Sequence, residues 1–166
     1  MKTAIFVDGN NLYNGLKGRQ LLGKGRRQRI SMSALVRYVA PEAAIKKYYS
    51  ALPEYGDGAL HLGFIEALRR QGWEVFLGRV QQGQEKGTDV ALATDLVFLG
   101  VQGAYDRAVI VSGDGDLAPA VSRVVQMGKE VEVWSFQGLL SLELAQTAQS
   151  VRLLEEVPWE QVSYAA

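Results

Sequence analysis

The sequence predicts a doubly wound α/β domain: a mainly parallel sheet of five to six strands with helices on both faces. Three observations carry that reading. Short apolar runs alternate with segments of helical periodicity. Acidic, glycine-containing turns directly follow two of the runs, in VDGNN and in SGDGD. The chain has 166 residues and is 48 % hydrophobic, enough for one core of ordinary size.

Thr3 to Val7 is a compact apolar run and reads as a strand buried on both faces. DGNNLYNGL follows, and then a loop rich in glycine and positive charge from Lys17 to Arg29. Ser31 is placed to cap a helix over Met32 to Val39, which Pro41 closes. Ala44 to Leu52 reads as the second strand, and Leu60 to Gln71 repeats apolar residues at helical spacing until Gly72. Trp73 to Leu77 is the third strand, followed by a loop of glycine and glutamine and by the helical segment KGTDVALATDLVFLGVQG. Arg107 to Val111 is the fourth strand, Leu117 to Met127 a helix, and Glu130 to Trp134 the fifth strand. Ser141 to Gln149 reads as a helix and Val151 to Leu154 as a short sixth strand. One domain is expected over residues 1–157, with 158–166 as a C-terminal tail. Tyr48, Tyr49, Trp73 and Trp134 are expected in the core.

Composition removes several chemistries. There is no cysteine, which excludes disulfides, thiolate metal sites and cysteine nucleophiles. His61 is the only histidine, so a histidine-based triad or metal site would rest on one residue. Carboxylates, hydroxyls, amides, lysine and arginine remain. The first apolar run is too short for a signal peptide and no stretch reaches the length of a membrane span, so a soluble, cytoplasmic protein is expected. Eighteen basic residues balance eighteen acidic ones, so affinity for nucleic acid has to come from charge distribution.

In open parallel sheets ligands bind beyond the carboxyl ends of the strands, where the strand order reverses. Asp8 follows the first strand, and Asp114 and Asp116 follow the fourth. With strands one and four adjacent, as in the common order 3-2-1-4-5, these carboxylates converge, and Asp89 joins them from the start of a helix. Two carboxylates about 4 Å apart repel by roughly 4 kcal/mol at an effective dielectric near 20. Such a group therefore calls for a cation or for protonation, and oxygen ligands alone suit Mg²⁺ or Mn²⁺. Ions of this kind support phosphodiester hydrolysis without histidine or cysteine. Each acid also has a structural reading, since aspartate favours turns and helix caps. Asp116 in particular precedes a helix, where it can cap and ligate at once. Asp95 points about 120° away from Asp89 on the same helix. Asp89 is therefore read as the ligand, and Asp95 as a supporting residue or the structural partner of a basic group. Asn11 fits three roles: orienting Asp8, contacting a phosphate, or closing an Asx turn. Ser112 can donate to a carboxylate or a phosphate.

The segment KGRQLLGKGRRQR carries six basic residues: Lys17, Arg19, Lys24, Arg26, Arg27 and Arg29. It reads either as a clamp for a nucleic-acid backbone or as a solvated surface loop. Lys86, close to Asp89, fits the first reading. The apolar segment Leu139 to Leu144 fits either a homodimer contact or burial within the domain.

Three motifs in order, VDGNNLY, KGTDVALATDLVFLG and VIVSGDGDLAPAV, resemble the NYN-domain family, in particular its LabA-like branch within the PIN-like nuclease superfamily. The resemblance runs from Asp8 to the last helix. It implies a PIN-like sheet in the order 3-2-1-4-5 and metal-dependent ribonuclease activity on RNA, expected to be single-stranded. It places the family's acidic positions on Asp8, Asp89, Asp114 and Asp116, with Asn11 and Asp95 at further characteristic positions. One departure stands out: many relatives carry another aspartate near the C-terminal helix, where this chain has Gln149 or Ser150 in TAQSVRLL. Some members hold regulatory roles, so a non-catalytic RNA-binding or regulatory module is the alternative. An aspartyl-phosphate phosphatase carries less weight, because Asn10 stands where a second acid is wanted.

Overall fold

The structure is a computed structural model that describes residues 1–18, 28–52 and 58–165. The elements run β1 (Thr3–Asp8), α1 (Gly9–Gly18), β2 (Gln28–Ile30), α2 (Met32–Val39), β3 (Ala43–Ala51), α3 (Gly58–Arg70), β4 (Glu74–Gln81) and β5 (Gln84–Lys86). They continue with α4 (Thr88–Val101), β6 (Arg107–Val111), α5 (Ala118–Gln126), β7 (Glu130–Ser135), α6 (Leu142–Thr147), β8 (Ser150–Leu153), α7 (Trp159–Val162) and β9 (Ser163–Ala165).

The main sheet has the order β5-β4-β3-β1-β6-β7-β8. From β4 to β8 every neighbouring pair is parallel. Counting only the strands foreseen from the sequence, this is the expected 3-2-1-4-5 order with the sixth strand added at the β8 edge. At the other edge β5 adds an antiparallel seventh strand. The glutamine- and glycine-rich stretch was expected to be a loop. Instead it forms a two-residue hairpin, because Gln82 and Gly83 both adopt positive φ, 52° and 72°.

Alternation along the central strands divides the core. Ile5, Val7, Val109 and Val111 face one cluster, which contains Leu12 and Leu16 of α1, Leu35 of α2 and Ile65 of α3. Ala4, Phe6, Ala108 and Ile110 face the other, with Leu92 and Leu96 of α4, Val121 and Val124 of α5 and Leu144 of α6. Period-two alternation from strands buried on both faces explains why these runs read as continuously apolar. Tyr48, Tyr49, Trp73 and Trp134 are all buried, as expected. The Ser31 cap forms as well, its hydroxyl accepting from the Ala34 amide at 3.2 Å.

Beyond Pro158, in the stretch read from the sequence as a tail, Trp159 and Val162 are 5 % and 2 % exposed. The Trp159 ring lies 5.8 Å from Phe136, and its Nε1 donates to the Leu154 carbonyl at 2.8 Å. β9 then pairs antiparallel with β2. Replacing Trp159 with alanine is expected to cost about 3–5 kcal/mol, as for other buried aromatics. Urea unfolding of the two proteins measures this, and a loss below about 1 kcal/mol would show that this segment contributes little to the core.

Candidate functional site

Strand order reverses between β1 and β6. From β1 the chain moves outward through β3 and β4, then returns through α4 to β6 and outward again through β7 and β8. Val7 pairs in register with Val111, so the next residues, Asp8 and Ser112, emerge side by side at the carboxyl ends. The Ser112 hydroxyl donates to Asp8 Oδ2 at 3.0 Å and accepts from the Asp114 amide at 3.2 Å. The Asn11 amide donates to Asp8 Oδ1 at 3.1 Å, while Asn11 Oδ1 accepts from the Gly113 amide at 3.1 Å. Asn11 thus closes a turn on Asp8 and bridges to the β6 loop. A side chain at position 113 would collide with the Leu139 carbonyl and the Ser135 hydroxyl, so only glycine lets this loop pack there.

Asp114 accepts from the Asp116 amide at 2.9 Å and caps the short 3₁₀ turn Gly115–Leu117, which α5 continues. Asp89 sits in the first turn of α4 and accepts from the Val90 amide at 2.9 Å. The approach to α4 is fixed from below by Gly78 of β4. A Cβ there would lie 2.7 Å from the Lys86 carbonyl oxygen and 2.9 Å from Thr88 Cγ2. The outcome is that one carboxylate oxygen each from Asp89, Asp114 and Asp116 lie within 4.8 Å of one another.

Asp8 stands outside that trio, with both oxygens engaged by Asn11 and Ser112. Its pKa is raised, chiefly by burial; the two hydrogen bonds oppose the shift, and the charges of Asp114 and Asp89 add to it. A fifth acid, Glu85, was not foreseen from the sequence. Burial raises its pKa, a hydrogen bond with Thr88 opposes, and the charges of Asp8 and Asp89 raise it further. Its Oε1 is the one buried side-chain polar atom without a hydrogen-bond partner among the described residues. The sequence offers only half a signal for it: Gly83 suits a tight turn that folds Glu85 back beside β4, but its turn partner Gln82 does not mark one.

The remaining candidates separate. Asp95 accepts from the Tyr49 hydroxyl at 2.7 Å and lies 3.5 Å from Lys47 Nζ, so it is the partner of a basic group. Lys17 is exposed at the end of α1, and Lys86 is exposed on β5. Arg19, Lys24, Arg26 and Arg27 lie outside the described residues, and of Arg29 only the backbone, paired with Tyr164 in β2, is described. Gln149 bonds the Val131 amide at the start of β7, at the opposite end of the sheet. Gln149 therefore lies away from this cluster.

An all-oxygen donor set with a neighbouring orphaned acceptor fits a hard divalent ion. An unpaired buried acceptor is costly, and so is a concentration of carboxylates; a cation with its waters relieves both. The metal-free protein carries a pH signature of this strain. Asp8 and Glu85 are raised above their unfolded values, so their contribution to stability is fully present below the ordinary carboxylate range and is lost as pH rises through the raised values. Asp8→Asn is therefore expected to gain stability relative to the parent between about pH 4 and pH 7. Thermal melts in chelator at the two pH values check this, and an unchanged difference would contradict it.

Comparison with known proteins gives the fold and the family. Over 107 residues the chain is 32 % identical to the uncharacterised protein y4oD of Sinorhizobium fredii, a match covering 64 % of this chain and 41 % of that protein. The match thus spans about two fifths of that relative's length. A crystal structure of a protein of unknown function from Vibrio parahaemolyticus superposes with a TM-score of 0.73 at 26 % identity, covering 93 % of each chain. The model of the NYN domain matches residues 2–155, which takes in the whole parallel sheet and all five acids, and the chain belongs to the NYN domain family.

Proposed function

We propose that this protein is a metal-dependent nuclease, acting on single-stranded RNA in the cytoplasm with Mg²⁺ or Mn²⁺. The observation that carries the reading is the meeting of Asp89, Asp114 and Asp116 oxygens within 4.8 Å at the strand-order reversal. Asp89, Asp114 and Asp116 hold the ion, and Asp8 adds negative charge beside it. A divalent ion bound there supplies Lewis acidity toward a phosphate oxygen and toward water at neutral pH. Glu85 Oε1 offers a free acceptor to a proton of water ordered at the site. In the hydrolysis, a water oxygen bonds to phosphorus, the ester P–O bond breaks, and the leaving oxygen takes up a proton.

The substrate class rests on NYN-domain membership and on the basic residues of the Lys17 to Arg29 segment, with Lys86 on the hairpin beside Asp89. Basic residues that reach a nucleic-acid backbone contribute salt-dependent affinity. The second reading, a non-catalytic RNA-binding or regulatory module, is favoured by one observation: Asp8 has both oxygens satisfied inside the protein.

Labelled single-stranded RNA incubated with Mn²⁺, Mg²⁺ or chelator separates the two. Metal-dependent cleavage that falls at least about 100-fold in Asp114→Asn and Asp89→Asn is the expected result. RNA binding without cleavage, unchanged by those substitutions, would establish the binding module instead. For Glu85→Gln, which keeps shape and removes charge, a weaker loss of about 10- to 100-fold is expected, as for residues that support a metal site from outside.

A further inference from the structure

We propose that Asp95 and Tyr49 are positioning residues: their hydrogen bond sets how α4 is turned about its axis, and so where Asp89 stands beside Asp114 and Asp116. The inference rests on the reading of that trio as a cation site. It begins from an ambiguity in α4 itself. Leu92, Leu96 and Gly100 are buried, while Val90, Phe98 and Val101 on the opposite side are 64 %, 56 % and 68 % exposed. Apolar residues therefore stand on both sides, and exchanging one side for the other would again put apolar side chains in the core. Burial alone leaves the rotation of this helix weakly specified, so polar and close-packed contacts have to set it.

Along the helix itself two contacts do so. Toward the C-terminal end the Tyr105 hydroxyl donates to the Leu96 carbonyl at 2.6 Å, and a Cβ at Gly100 would lie 2.9 Å from that hydroxyl. The second contact is nearer the acids. Asp95 accepts from the Tyr49 hydroxyl at 2.7 Å. Tyr49 is 1 % exposed on β3, a strand paired along both edges, and it stands opposite Asp8 in the β1–β3 pairing. The bond thus ties α4 to the level of the sheet from which Asp8 emerges. Lys47 Nζ, 3.5 Å from Asp95 and 2.6 Å from Glu74, supplies the positive charge that holds the Asp95 carboxylate there. Burial, and then the bond to Asp95, raise the Tyr49 pKa, so the hydroxyl keeps its proton at neutral pH. Asp95 lies about 9 Å along the axis from Asp89, against roughly 16 to 17 Å for Gly100. The two aspartates point about 120° apart on one rigid helix, so a turn at one is a turn at the other. A rotation of about 20° would carry a carboxylate roughly 6 Å from the axis through about 2 Å. Coordination distances hold to within about 0.2 Å, so that displacement takes Asp89 away from a shared ion.

Calorimetric titration of the full chain with Mn²⁺, beside Tyr49→Phe, Asp95→Ala and Asp95→Asn, tests this. Tyr49→Phe and Asp95→Ala are each expected to weaken Mn²⁺ binding about 10-fold or more, the loss usual for residues that act on a metal through its ligands. The two together should lose little more than either alone, because they remove the same bond. Asp95→Asn keeps an acceptor for the Tyr49 hydroxyl and is expected to restore most of the affinity. A bond that serves stability alone would lower the melting midpoint of the variants and leave the Mn²⁺ affinity of the folded protein unchanged. Equal affinity in the parent and Tyr49→Phe would therefore overturn the inference and leave the cation site standing. An Asp95→Asn variant as weak as Asp95→Ala would overturn it too, since the bond and not the charge is held to turn the helix. A parent that binds no Mn²⁺ would end the cation reading instead, and the metal-free crystal structure of Tyr49→Phe then decides the positioning role. Oxygens of Asp89, Asp114 and Asp116 still within 4.8 Å of one another would overturn that role, and a displaced Asp89 would uphold it.

Discussion

Everything at the candidate site depends on the parallel pairing of β1 with β6. That pairing sets Val7 against Val111 and so brings the ends of two sequence-distant strands level. From there one hydroxyl, Ser112, ties both sides together: it donates to Asp8 and accepts from the amide of Asp114. Asn11 repeats the tie in the other direction through Gly113. A register slip of one residue would turn Asp8 toward the core and break both links. The buried alternation of Ala4 to Val7 and Ala108 to Val111 forbids such a slip, because every apolar side chain would exchange faces. The hydrophobic pattern therefore positions the carboxylates.

Against this stands an electrostatic cost. The end of β1, the turn after β6 and the start of α4 bring Asp8 beside Asp89, Asp114 and Asp116, and the β5 hairpin adds Glu85. The neighbouring charges raise Asp8 and Glu85 in addition to burial. Local hydrogen bonds offset part of this cost but not all, since Glu85 Oε1 remains without a donor. Folds tolerate such strain where it serves binding, and the surrounding structure must over-determine the geometry. Here Gly78 and Gly113 do so, each admitting backbone or side-chain atoms where a Cβ would collide.

The sequence made most of the fold legible because its signals are local and periodic. Apolar runs of five or so residues, broken by DGNN and SGDGD, marked the strands, and adjacency of strands one and four followed from the common strand order. Asp95 could be set apart from Asp89 by helix geometry alone, and its contacts with Tyr49 and Lys47 agree. Two features were not legible. The β5 hairpin turns on Gln82 in a left-handed conformation, which glutamine seldom signals, so Glu85 stayed hidden. The burial of Trp159 depends on Phe136 and Leu154, contacts that no local pattern around Pro158 announces. The division of labour among the acids also required three dimensions, because only the actual side-chain directions set Asp116 in the trio and Asp8 beside it.

The central claim is that Asp89, Asp114 and Asp116 together hold a divalent cation. Crystals soaked in Mn²⁺ and measured for anomalous scattering test it most directly. The account predicts a single strong peak among the three carboxylates, at bond lengths of about 2.0–2.3 Å, that disappears in Asp114→Asn. Full occupancy elsewhere with none among these residues, or no ordered ion at saturating Mn²⁺, would contradict it.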